Sequence, residues 1–109
     1  MKRGEVWTVA SGPDYAAKPR PAVIVQDDRF SDIASITVCM FTTNPMAAPL
    51  FRVPVDPTEA NGLTQASWLM ADKVSTLPKA QLGRRIGHLD DATMLRLNRA
   101  ITVFLGIAG

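Results

Sequence analysis

A chain of 109 residues, 47% hydrophobic and 20% charged, has the composition of a single globular domain spanning residues 1–109. Its one cysteine excludes an internal disulfide framework, and no apolar run approaches the roughly 18 residues of a membrane span. The net charge of +2 and the pI near 9.0 point only weakly to nucleic acid, because acids are interleaved with the basic residues.

No apolar stretch follows Lys2 and Arg3, so no signal peptide is expected, and the cytoplasm is the expected location. Residues 4–10 (GEVWTVA) read as a strand, rich in β-branched and aromatic side chains. Residues 11–21 (SGPDYAAKPRP) hold one glycine and three prolines and read as a loop. Pro19 and Pro21 flank Arg20. A residue before proline is pushed toward extended backbone, so Arg20 stands pre-set at the mouth of the next strand.

Residues 21–26 (PAVIVQ) form a short apolar run, expected as a central strand that Asp27-Asp28-Arg29 ends. Residues 33–43 contain SITVCMFTT, a strand whose near-continuous apolar character predicts cover on both faces. Cys39 within it reads as a small buried hydrophobe. Residues 50–55 (LFRVPV) form a strand, and Pro54 assigns it to an edge. Residues 56–63 (DPTEANGL) are turn-like, with Asn61-Gly62 the turn signal. Residues 66–72 (ASWLMAD) give another strand. Residues 73–81 are ambiguous, with Leu77-Pro78 able to open a short helical turn, and residues 82–89 hold a last strand around 85–88.

Met94, Leu97, Ile101 and Phe104 are spaced three, four and three apart, one face of a helix that packs on the core. Asp90 suits its N-cap, Asp91 favours the positive end of its dipole, and Gly106 can stop it. Strands at roughly ten-residue spacing with one terminal helix predict a mainly β fold, a compact antiparallel sheet or small barrel.

The chemistry available is narrow. One histidine and one cysteine, far apart, argue against a metal site, and no motif calls for a cofactor. There is no glycine-rich phosphate loop and nothing resembling a nucleophile elbow. Asp27-Asp28 and Asp90-Asp91 read as solvated strand and helix ends. A ribonuclease using two histidines is excluded, because His88 stands alone. RNA cleavage without it stays open, since the ribose 2′-OH is an internal nucleophile beside the phosphate. The enzyme then supplies in-line positioning and cationic donors for the charge on the pentavalent phosphate. Arginine suits this through its planar fork, and a threonine hydroxyl adds one more donor. Arg20 and Thr42 fit these roles in type. By residue type and spacing alone the plainer readings are favoured, an exposed loop cation for Arg20 and a β-branched strand residue for Thr42.

The chain resembles the MazF/PemK family of toxin endoribonucleases over nearly its whole length. The likeness rests on Lys2-Arg3-Gly4-Glu5-Val6-Trp7, on Lys18-Pro19-Arg20-Pro21-Ala22-Val23-Ile24-Val25-Gln26, and on the strand 36–43. It continues in Phe51-Arg52-Val53, in Gly62-Leu63 and in residues 82–91 (LGRRIGHLDD) before the terminal helix. The order and spacing of the pieces carry the resemblance. It implies an SH3-like, CcdB-type barrel with a C-terminal helix, acting as a homodimer. It matches Arg20 and Thr42 to the family's catalytic Arg and Thr/Ser. It implies metal-independent cleavage of single-stranded RNA in a groove at the dimer interface, leaving a 2′,3′-cyclic phosphate. It further implies neutralisation by a cognate antitoxin whose disordered tail fills that groove, with operator DNA reached only through the antitoxin.

Tyr15 and Lys18 of the 11–18 loop are expected near bases or backbone, with Thr43, Asn44, Asp72 and Lys73 lining a base-reading groove. Two departures fall there: the loop lacks the family's common G-S-E-Q-G, and Lys73 and Ser75 stand where Gln and Arg are frequent. Two other functions remain as alternatives. The same fold carries CcdB-like gyrase inhibitors, whose action the resemblance ties to a Trp-Gly-Ile end. This chain has Leu105-Gly106-Ile107 there. The other is a catalytically inactive antitoxin- or nucleic-acid-binding module.

Overall fold

The computed structural model describes residues 1–10 and 19–107. Six strands form one sheet, β1 (Glu5–Val9), β2 (Arg20–Ile24), β3 (Ser35–Thr42), β4 (Arg52–Val55), β5 (Ser67–Pro78) and β6 (Leu82–His88), followed by the helix α1 (Asp91–Phe104). Their spatial order is β4-β5-β3-β2-β1-β6, with every neighbouring pair antiparallel. β4 is an edge, as Pro54 requires: a residue without N–H cannot serve two ladders. No described helix is long and apolar enough to cross a membrane.

Strand period divides the core in two. Val6, Val23, Cys39 and Phe41 face α1 and pack with Leu69, Met94, Leu97 and Ala100. Val9, Ala22, Ile24, Ile36 and Val38 point to the other side and pack with Leu82, with Trp7, Met40 and Leu77 partly covering them. β3 therefore does bury residues on both faces. Cys39 is fully buried and its thiol donates toward the Met70 carbonyl at 3.3 Å. Burial pushes its pKa up to about 12, which fits the hydrophobe expected there.

Several boundaries move. β3 begins at Ser35 rather than 33, leaving Ile33 exposed, and β4 begins at Arg52 rather than 50. β5 does not stop at 72 but runs to Pro78, after which Lys79–Gln81 make one 3-10 turn. The extension is possible because β5 pairs with β3 through an irregularity between Cys39↔Val74 and Phe41↔Leu69, which lets a long strand bend around the sheet.

α1 is capped as expected: the Asp90 carboxylate accepts from the Thr93 N–H at 2.7 Å. Gly106 (φ +73°) ends it, with Gly106 N–H donating to the Val103 carbonyl and Ile107 N–H to that of Thr102. The expected stripe holds for three of its four residues, with Ile101 partly buried against the core. Met94 and Leu97 are buried, joined by Ala100, but Phe104 is 48% exposed, its ring centroid 5.7 Å from that of Phe51. The helix leaves the sheet near its last turn, so the apolar period outlasts the surface available to cover it.

Candidate active site

β2 and β3 pair as Ala22↔Met40, Val23↔Cys39 and Ile24↔Val38. Continuing that register by two residues sets Arg20 opposite Thr42, at the open end of the two strands. Pro19 and Pro21 hold the Arg20 backbone extended, and Val9 of β1 lies across from it. The Arg20 side chain is exposed, whereas Thr42 is half-buried. Both line one recess of about 480 Å³ together with Thr43, Gln65 and Ser67, over a floor of Pro19, Pro21 and Phe41.

The Thr42 hydroxyl accepts the Asn44 N–H at 3.2 Å. A hydroxyl has one donor and two lone pairs, so this bond leaves its proton available to donate. Asn44 thus enters the site through its backbone, holding the hydroxyl in place.

The other wall is the loop between β4 and β5, whose residues 56–63 read in the sequence as a turn. Its hub is Asn61, nine-tenths or more buried. The Asn61 Oδ1 accepts from the N–H groups of Thr58 and Leu63, both at 3.0 Å, and its Nδ2 donates to the Asp56 carbonyl at 2.9 Å. The loop then lies backbone to backbone on β6. A Cβ at Gly62 (φ +71°) would stand 2.1 Å from the Ile86 carbonyl oxygen, and one at Gly87 2.4 Å from that of Ala60. Only glycine permits this approach, which delivers Gln65 and Ser67 to the recess. Asn61-Gly62 was visible as a turn signal; that the turn builds a wall depends on its contact with β6.

The remaining expected site residues scatter. Thr43 lines the recess. Asp72 lies in the irregular part of β5 and is engaged by Arg52 of β4, whose Nε and Nη2 donate to its two oxygens at 2.8 and 3.0 Å. The Arg52 guanidinium holds the Asp72 carboxyl below the usual value. Lys73 is exposed beside it. Tyr15 and Lys18 lie outside the described residues. Trp68, opposite both Thr42 and Pro54 in register, is half-buried.

A second recess, about 510 Å³, opens elsewhere, at the N-terminal end of α1, among Asp56, Thr58, His88, Asp90 and Arg96. Among the described residues no group of three or more His, Cys, Asp or Glu side chains could hold a metal ion.

The sequence matches, over residues 2–105, the family described as PemK-like, MazF-like toxin of type II toxin-antitoxin system. The chain belongs to this family. It is 50% identical, over the full length of both chains, to the "Probable endoribonuclease MazF" of Mycolicibacterium smegmatis. A solved "Endoribonuclease in complex with its cognate antitoxin" from a mycobacterial species superposes with a TM-score of 0.81 at 29% identity, covering 98% of this chain and 96% of that one. The Mycobacterium tuberculosis toxin MazF-mt6 superposes with a TM-score of 0.79 at 28% identity, covering 94% and 97%. The small barrel-like sheet with its C-terminal helix is thus the MazF toxin fold.

Proposed function

We propose that in this MazF-type toxin endoribonuclease Arg20 and Thr42 form the catalytic pair, acting on single-stranded RNA. The observation that carries the reading is their convergence on one recess, an exposed guanidinium facing a hydroxyl whose lone pair is already engaged. The guanidinium clamps two non-bridging oxygens of the scissile phosphate and neutralises the charge that builds as the 2′-oxygen attacks phosphorus. The Thr42 hydroxyl donates to a phosphate oxygen. The P–O5′ bond breaks opposite the attacking oxygen, giving a 2′,3′-cyclic phosphate and a 5′-hydroxyl. The 2′ proton leaves with solvent, and the 5′-oxygen takes a proton from the Arg20 side or from water. No metal enters these steps.

Thr43 and Asn44 at the recess, Asp72 and Lys73 on β5, and Tyr15 and Lys18 before β2 contact bases and backbone in this reading. Unstacked single strands are read through such base-edge and backbone contacts. A cognate antitoxin is the partner, its disordered tail competing for the groove, and operator DNA is reached through it. Two copies of the chain, one domain each, form the working unit in the cytoplasm. Apolar side chains left exposed at Leu50, Val103, Phe104, Leu105 and Ile107 support a need for cover.

The test is incubation of purified protein with a long single-stranded RNA in EDTA, beside Arg20→Ala, followed by sequencing of new 5′ ends. Cuts at a short recurring motif that vanish in the variant are expected. A folded, antitoxin-free protein that cuts no RNA would overturn the reading. Light scattering that finds a monomer at micromolar concentration would overturn the dimer.

A further inference from the structure

The recess around Arg20 does not end at Ser67. A neighbouring hollow of about 370 Å³ shares Pro19, Pro21, Thr43, Gln65 and Ser67 with it and continues past Thr64 and Thr8 to Arg84. The two hollows make one trough. Arg20 lines only the first part and Arg84 only the second. Among the described residues, none that lines either part is an aspartate or glutamate.

Arg84 is built into place. Its N–H donates to the Thr8 hydroxyl at 3.0 Å, tying β6 to β1 through a side chain where the ladder register shifts. The residue before it, Gly83, permits this bond: a Cβ there would stand 2.4 Å from the Thr8 oxygen. Its neighbour Arg85 is drawn away to Glu5, with Nε 3.6 Å from the carboxylate. The Arg84 guanidinium makes no hydrogen bond or ion pair with any other described residue. A cation with no described counter-charge, in a trough whose described lining holds no carboxylate, suits an anion brought by a ligand.

β1 lies between β2 and β6, so Arg20 and Arg84 sit on strands about 10 Å apart. One phosphate does not span that separation. We propose that Arg84 is a binding residue for a second backbone phosphate, at a nucleotide flanking the scissile one, and so sets the path of the strand through the trough. This rests on the endoribonuclease reading of Arg20 and Thr42. Phosphate contacts set register and orientation, which base contacts then exploit.

The test measures binding and cleavage separately. Binding uses a labelled, fully 2′-O-methylated single-stranded RNA, which cannot be cut, followed by fluorescence anisotropy across a salt series. Arg84→Ala is expected to weaken it about tenfold, the loss typical of a charged hydrogen bond. It should also lower the slope of log affinity against log salt by about 0.7, one phosphate contact on a single strand. Arg84→Lys should recover part of the affinity, and Arg85→Ala should change it less than about twofold, its charge being paired outside the trough. In cleavage, Arg84→Ala should raise KM about tenfold with kcat within about twofold, as expected when uniform binding is lost. One methylphosphonate linkage away from the cut should weaken wild type and leave Arg84→Ala unaffected.

Unchanged binding in Arg84→Ala, or an equal loss in Arg85→Ala, overturns the proposal. So does a fall in kcat as large as the change in KM. A wild type that binds through Arg84 but cuts nothing overturns the catalytic reading and supports the phosphate site.

Discussion

The barrel carries two polar recesses of similar size, about 480 Å³ beside Arg20 and about 510 Å³ at the start of α1. Both contain an arginine and threonines. They differ in charge balance. Around Arg96 stand Asp56 and Asp90, and the Asp90 carboxylate is engaged by the Thr93 N–H as a helix cap. Around Arg20 and Arg84 no carboxylate lines the recess among the described residues. The larger hollow is explained by structure alone, because its polar groups serve the fold. In the other, the described walls carry arginine, threonine, serine and glutamine side chains and no described carboxylate. Volume does not separate a site from a structural recess; the polar groups that line it do.

That contrast can be broken at several points. Arg20→Ala is expected to cost at least about a hundredfold in single-turnover cleavage, the usual effect of removing a main transition-state donor, with little change in thermal midpoint. A loss under about tenfold would remove Arg20 from the chemistry. Arg52→Ala should act in the opposite manner. It strands the Asp72 carboxylate, which is only 17% exposed, and should cost about 2–3 kcal/mol in urea unfolding. The figure is below that of a fully buried pair because solvent reaches Asp72.

The same pair shapes the acid limb of stability. The Arg52 hydrogen bond lowers the Asp72 pKa below its ordinary 3.8, so the folded chain binds fewer protons than the unfolded one. This stabilisation is present above the unfolded value and fades as pH falls through the folded one. Asp72→Asn should therefore flatten the loss of stability below about pH 4, read from urea midpoints across pH. An unchanged slope would show that the pair contributes nothing there.

Smaller effects mark the recess at α1. Asp90→Ala removes the cap and should lower the thermal midpoint by a few degrees while cleavage of RNA stays unchanged. Arg96→Ala should change cleavage by less than about twofold, since its recess is balanced and lies apart from the reacting groups. A larger loss of activity in Arg96→Ala would mean that the two hollows act together.

Much of this was readable in advance where a residue's effect is local. Proline flanking fixed the extended backbone at Arg20, Pro54 marked an edge, and Asp90 and Gly106 bounded the helix; each acts on its own φ, ψ or nearest N–H. The trough wall was not readable. Gln65 and Ser67 carry no motif, and they reach the site because Gly62 and Gly87 let two backbones meet across a gap of 25 residues in sequence. Arg84 looked like Arg85 in the sequence, and only the pairing of β6 with β1 gave them different surroundings.

The family motifs in the sequence named Arg20 and Thr42, and residue type suggested what each can do to a phosphate. The β2–β3 register made them neighbours. Asp72 shows the converse, since nothing local forecast that Arg52, 20 residues earlier, would take both its oxygens. The sequence by itself determined which strands and helix form and how the helix is capped, because these follow from interactions within a few residues, while the extent of β5 followed from its pairing with β3. Tertiary structure alone decided which charges are paired and which face an open trough, because ion pairing depends on strand order and register, properties of the whole sheet.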